Sequence, residues 1–215
     1  SLTGLSTYTG ATTVQQGAAL LVNGSIAPSS GLLVQSGGLI GGSGQLPGTS
    51  IASGGVIAPG NSIGTLTVNG NYSLNGGTQA IEIQGPQSDA IDVTRNVTSF
   101  SRTTALSSSG GGTAGPGFRY TILTASNAFS APLALGLDAA PIAPSALLQF
   151  GTALLQETDG NPRTFDVQWR PRNGSGAVAS ALQALGAAGG NGTAAAGVFD
   201  SAFNRLAIAA AGNAN

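Results

Sequence analysis

Ser53–Asn71 reads SGGVIAPGNSIGTLTVNGN. It joins a glycine pair, a Pro-Gly-Asn turn and an alternating strand. Its opening echoes the chain just before it. Val34-Gln35-Ser36-Gly37-Gly38-Leu39-Ile40 and Ile51-Ala52-Ser53-Gly54-Gly55-Val56-Ile57 share one template: apolar, variable, Ser, Gly, Gly, apolar, apolar. The two copies lie 17 residues apart, and Val14-Gln15-Gln16-Gly17-Ala18-Ala19-Leu20 fits more loosely 20 residues earlier. A short motif recurring at this interval marks a repeat architecture.

Within the repeats the apolar residues alternate. Leu66, Val68, Tyr72 and Leu74 fall on one face, with Thr67, Asn69, Asn71 and Ser73 on the other, the two-residue period of a half-buried strand. Gly70 interrupts the apolar row and predicts a bulge or bend. Ala80–Gln84, Ala90–Thr94, Tyr120–Thr124 and Thr164–Arg170 are similar runs. A unit of this size is too short for a strand–helix–strand crossover, which takes about 30 residues. It is long enough for one coil of a parallel β-solenoid, in which each coil pairs only with its neighbours. An antiparallel sandwich also has short strands at regular spacing. The Gly-Gly corner returning in register favours the solenoid.

Composition narrows the function. Charged residues make up 7% of the 215, and the net charge is −1, so Ser, Thr, Asn and Gln must solvate most of the surface. All seven basic residues are arginines scattered along the chain, which makes no phosphate-binding patch and argues against nucleic acid as a partner. No Cys means no disulfide scaffold and no thiol chemistry. The lack of Met is expected of an excised or processed product, and no apolar run approaches the 20 residues of a membrane span.

Several motifs match catalytic or ligand-binding signatures in letters only. Gly60-Asn61-Ser62-Ile63-Gly64 fits G-x-S-x-G, but the chain has neither histidine nor lysine to act as base, and a strand is expected after it rather than a helix. It reads as a corner turn. Gly41-Gly42-Ser43-Gly44 begins like a calcium-binding nonapeptide, yet Leu46 stands where the carboxylate is required. Gly110, Gly112 and Gly115 space like a dinucleotide fingerprint without its strand or helix. Asp89 and Asp92 are the nearest carboxylates in the strand region. Residues three apart on a strand face opposite sides, so Asp89 is expected in a turn and Asp92 on a solvated face. No cofactor, metal or catalytic residue is expected, and five N-x-S/T triplets, at Asn23, Asn71, Asn96, Asn173 and Asn191, are unsurprising in so polar a chain.

Thr7–Ile26 (TYTGATTVQQGAALLVNGSI), Leu32–Leu46 (LLVQSGGLIGGSGQL) and Ser50–Leu74 (SIASGGVIAPGNSIGTLTVNGNYSL) together resemble the passenger repeats of bacterial autotransporters, secreted by the type V pathway. SDAIDV (Ser88–Val93), FRYTILTAS (Phe118–Ser126) and FDVQWRPRNGS (Phe165–Ser175) are similar to the autochaperone or pertactin-like region that closes such passengers. Ala177–Phe203 resembles the helical stretch before their membrane barrel. The resemblance implies an all-β fold: a single-stranded right-handed parallel β-helix with a C-terminal β cap and a short helical tail. It implies β-helix coils over 1–117, a cap over 118–175 and a helical segment over 176–215. It also implies two partners, a C-terminal outer-membrane barrel and an upstream passenger, and a place at the bacterial surface or outside the cell.

Residues 101–117 (SRTTALSSSGGGTAGPG) are low-complexity and read as a loop. Residues 177–187 and 194–211 carry helical periodicity, and 127–157 are poorly patterned. The residues expected to matter pack rather than react: Leu66, Val68, Tyr72 and Leu74 in the coils, and Phe118, Tyr120, Phe165, Val167 and Trp169 in the cap. Trp169 could plug the open end of a solenoid or sit in an ordinary sandwich core. Two functions are open at this point. One is a stem and autochaperone that promotes secretion. The other is an adhesin-type surface that binds host tissue, a glycan or sister cells.

Overall fold

The computed structural model describes residues 1–113, 119–127, 129, 133–138, 148–156 and 162–171. Every regular element among them is a β-strand. Phe118 and the expected helical tail at 176–215 lie outside the described residues. Two compact units are distinguished. The first holds the described residues of Ser1–Thr113, Tyr120–Ile142 and Thr152–Val167; the second includes 119, 148–151 and 168–171, all in strands.

Three sets of parallel strands organise the first unit. One set runs through β1 (Thr12–Val14), β3 (Leu32–Val34), the end of β5 (Gln45–Ile51), the end of β7 (Thr65–Asn75) and the start of β11 (Val97–Thr113). Its register carries Val14 onto Val34, then Ile51, Leu74 and Phe100. A second set is β2 (Ala19–Leu21), β4 (Leu39–Gly42), β6 (Val56–Pro59), β8 (Thr78–Gly85) and the middle of β11. It carries Leu20 onto Ile40, Ile57 and Gln79. The third begins with bridges from Leu5 to Ser25 and from Ser25 to Gln45. It continues through the first halves of β5 and β7 to β10 (Ala90–Val93) and β12 (Arg119–Ala125), stacking Leu46, Val68, Val93 and Ala125.

Each residue thus pairs with one a repeat later, and the expected 17- and 20-residue intervals are the register of the ladders: Val14 with Val34, Val34 with Ile51. Within these three sets antiparallel pairing is found where the short β9 (Gln87–Ser88) folds back on β8 and at a Gly42–Gly60 bridge. The remaining strands are β13 (Leu133–Asp138), parallel to β11, and β14 (Leu148–Gln156) and β15 (Pro162–Pro171), which follow β12 in sheet order.

The inward faces form apolar columns. Val34, Ile40, Leu46, Ile51, Ile57, Leu66, Val68 and Leu74 are all fully buried. Each such side chain contributes about 1.5–3 kcal/mol over an exposed one. A column of like residues also gives one row the surface on which the next can pack.

The corners explain the glycine pairs. In Gln35–Gly38 and Ala52–Gly55 the last amide donates to the first carbonyl at 2.9 Å in both turns. The third residue, Gly37 or Gly54, has φ of 73° or 78°, as a type II turn demands. The second glycine answers a different need. A Cβ on Gly38 would lie 2.7 Å from the Val14 carbonyl oxygen of the row before. The corners also bond to one another: Gly17 N donates to Gly37 O and Gly37 N to Gly54 O, both at 2.9 Å. Gly70 makes the expected bend. There the β5–β7 register slips between Pro47 and Thr49, φ is 154°, and a Cβ would strike the Gly48 Cα at 2.7 Å. Through this bend β7 leaves the third ladder and enters the first.

The loop expected over 101–117 is corrected in part. Residues 101–113 continue β11, paired to β7, β8 and β13. A ladder is made by backbone groups, and a Ser/Gly-rich stretch has its full set of them. Flanked by strands on both sides, this stretch pairs despite having little side-chain pattern to announce it.

Candidate functional site

The expected packing residues of β7 sit where the alternation put them. Leu66, Val68, Tyr72 and Leu74 are fully buried, and burial drives the Tyr72 hydroxyl pKa well above its ordinary value. Tyr120, on β12, is buried, and its hydroxyl donates to the Gly85 carbonyl at 2.9 Å, tying β12 to the end of β8. Phe165 and Val167 are buried on β15, and Trp169 lies on the same strand.

Several polar groups are buried inside the unit, Asp89 among them. Asp89, read from sequence as a turn residue, is 2% exposed. Its Oδ1 accepts from the Gly64 amide and its Oδ2 from the Glu82 amide, each at 2.9 Å. Its own amide donates to the Glu82 carbonyl, and the next amide, of Ala90, donates to Gly64 O. Burial pushes its carboxyl up to about 6, against the pull of those two amides, and the Glu82 charge adds to the rise. The reason it is buried is its phase: Asp89, Ile91 and Val93 share the inward side of one strand run. That alternation is visible in the sequence and could have found it. Asp92, out of phase, is exposed and accepts from Thr124 Oγ1 at 2.7 Å.

The loop held by Asp89 is the G-x-S-x-G stretch. Ser62 is exposed with φ 131°, the single non-glycine residue in the left-handed half of the map among the described residues. β7 begins directly afterwards at Thr65, so the segment is a strand-to-strand corner. In the neighbouring Gly41–Leu46 stretch, Leu46 points into the core, where it cannot serve a cation. Among the described residues no three His, Cys, Asp or Glu side chains come together as a metal would need, and no helix is long and apolar enough to cross a membrane.

The outer surface is built of uncharged polar ladders. Asn71 Oδ1 accepts from the Asn96 side chain at 3.1 Å, and Asn96 Oδ1 from that of Asn127 at 3.0 Å. Asn23 Oδ1 takes bonds from Ser43 N and Asn61 Nδ2. Across the face of the first ladder runs a shallow open groove of about 540 Å³, lined by residues that include Thr13, Gly31, Leu33, Gly48, Ser50 and Ser73. Beside it Tyr8, half exposed, is hydrogen-bonded to Thr12 at 2.6 Å.

No family model matches the chain, and no curated protein sequence is significantly similar to it. What the arrangement can do is therefore read from its own chemistry: it stacks, it presents uncharged polar ladders, and among the described residues it buries two carboxyl groups, those of Asp89 and Asp166.

Proposed function

We propose that this chain is the stem and self-chaperoning end of a secreted bacterial passenger, folded as a single-stranded right-handed parallel β-helix with a C-terminal cap. The observation that carries the reading is the set of three parallel ladders, each row bonded to the next at intervals of one repeat. Parallel crossovers are right-handed in nearly all proteins, which supplies the hand. Such rows add one at a time, each on the surface left by its neighbour. A chain emerging through the outer membrane could fold this way without a chaperone. Each row folded outside would bias the chain against sliding back, by about 25 cal/mol per Å² of apolar surface buried. Its partners on this reading are an outer-membrane barrel and an upstream passenger, and its place is the cell surface or the medium.

The test is surface display from a fusion to an outer-membrane barrel, with an epitope at the passenger's N-terminus. Phe165→Ala or Trp169→Ala should leave expression and barrel insertion intact while lowering epitope display and protease resistance. Normal display and resistance in both variants would sink the reading.

The groove on the first ladder favours a second reading, an adhesin-type module for a neutral ligand such as a glycan. No charged residue lines it, and Gly31 and Gly48 keep it open although neither has positive φ and a Cβ would meet neighbours only at 3.6–3.7 Å. Direct binding of uncharged oligosaccharides by the isolated chain, lost in Gly48→Val, would support it; equal binding by the variant would not.

A further inference from the structure

We infer that Asn75 is a site of self-modification, where the chain converts its own side-chain amide into a carboxylate through a cyclic imide. Asparagine followed by glycine favours this reaction, because no side chain shields the next amide nitrogen. Here that nitrogen belongs to Gly76. It gives up its proton to solvent base and attacks Asn75 Cγ. The new C–N bond closes a succinimide ring, the Cγ–Nδ2 bond breaks, and Nδ2 takes a proton from water and leaves as ammonia. Water then opens the ring at either carbonyl. One product is aspartate. The other is isoaspartate, in which the backbone runs through Cβ and Cγ.

Asn23-Gly24, Asn69-Gly70 and Asn75-Gly76 all fall among the described residues, and the fold treats them differently. The first pair is clamped. Asn23 N and Gly24 N donate to the Leu2 carbonyl at 2.7 and 3.0 Å, and Asn23 Oδ1 accepts from Asn61 Nδ2 at 2.7 Å. The second lies inside β7, where Asn69 pairs with Pro47 and a Cβ on Gly70 would strike the Gly48 Cα at 2.7 Å. The third straddles the end of β7, with Gly76 in the corner that leads to β8. Asn75 is exposed where Asn23 and Asn69 are half-buried, and its Nδ2 reaches Ser50 Oγ at 3.4 Å, near the limit of a hydrogen bond. Corner-to-corner bonding slackens at the same place: Gly17 N to Gly37 O and Gly37 N to Gly54 O are 2.9 Å, but Gly54 N to Gly76 O is 3.4 Å.

The corner is also short. Asn75, Gly76 and Gly77 join Leu74 to Thr78, where the row before uses one residue more, Ala52–Gly55, to join Ile51 to Val56. Two consecutive glycines free the backbone next to Asn75, so the Gly76 nitrogen can swing toward Cγ. Isoaspartate adds a backbone atom to a corner that is one residue short, so the row keeps its pairing after conversion. The product adds one negative charge to a chain of net charge −1, on the surface beside Ser50. This chemistry is independent of the secretion reading and would run in the same corner whatever the chain carries.

The test holds the folded chain in mildly alkaline buffer beside a second sample in urea, then digests both for mass spectrometry, with isoaspartate told from aspartate by fragmentation. In the folded chain Asn75 should convert faster than Asn23 and Asn69 by on the order of tenfold, the factor that one amide hydrogen bond holds closed. Isoaspartate should be among its products, and Asn75→Gln should remove the acidic form that anion exchange resolves. In urea the three sites should convert at similar rates, since only the shared dipeptide then acts. Equal rates at the three sites of the folded chain would overturn the proposal. So would a lead for Asn75 that is as large in urea, or aspartate without isoaspartate, which marks direct hydrolysis.

Discussion

Gln79 Nε2 donates to the Ile122 carbonyl oxygen at 3.2 Å, joining β8 to β12 through the interior, 43 residues apart in the chain. Gln79 occupies a place in the column where Ile40 and Ile57 precede it, and it is fully buried. Its Oε1 has no hydrogen-bond partner. The donor is therefore the useful half of this amide. Gln79→Glu replaces it with an acceptor that meets another acceptor at a fully buried position. Unfolding free energy should fall by about 3 kcal/mol or more at pH 7 and recover in part at pH 4, where the carboxyl group can hold a proton and donate it. Urea denaturation at the two pH values reads this directly. A loss that is the same at both would show that charge is not its cause.

The glycines divide into those the backbone needs and those it does not, and alanine should separate them. Gly54 has φ 78° with the Ser36 hydroxyl 2.5 Å from where a Cβ would go. Gly54→Ala should cost about 1–2 kcal/mol from the left-handed conformation alone, and more from the contact. Gly31 and Gly48 lack both constraints. Alanine at either should be neutral or stabilise by about 0.4–1 kcal/mol, because it restricts the unfolded chain. Thermal or urea unfolding of the single variants checks the contrast. Equal destabilisation at Gly31 and Gly54 would mean that the corner, not the residue's own geometry, sets the cost.

Truncation in the columns should be felt through two rows at once. Leu74 pairs with Ile51 on one side and Phe100 on the other and is fully buried. Leu74→Ala should cost about 2–5 kcal/mol. Leu33, on the outer face of the same ladder and 38% exposed, should lose under about 1 kcal/mol on the same change. Comparable losses would argue that the groove side is packed against something in solution.

The repeat interval, the Gly-Gly corners and the β7 alternation were legible because each is a local pattern repeated in phase. The strand over 101–113 was not, since its pairing depends on neighbours rather than on its own Ser and Gly side chains. Asp89 and Gln79 show a subtler failure. Both lie in phase with apolar residues, Asp89 with Ile91 and Val93, Gln79 with Ile81 and Ile83, and all six are buried. Phase alone points to burial and residue type points away from it; the sequence reading puts Asp89 in a turn and does not single out Gln79. Phase won because partners far along the chain, Gly64 and Ile122, answer Asp89 Oδ1 and Gln79 Nε2. Those partners cannot be seen from the strand itself.

Asp89 also fixes a sign for the stability of the whole fold. Its folded-state value, about 6, lies above the ordinary 3.8, so folding favours the protonated form. The contribution is fully present below about pH 4 and is lost as pH rises through 6, with a ceiling of about 3 kcal/mol. The chain has eight carboxylates in all, so the comparison must be with Asp89→Asn, in which the other seven remain. The difference in unfolding free energy, wild type minus variant, should fall steadily from pH 4 to pH 6 and stay level from there to pH 8. A difference that is constant with pH would mean that water reaches the buried carboxyl group in the folded state. A difference that rises with pH would mean that the amides of Gly64 and Glu82 outweigh its burial.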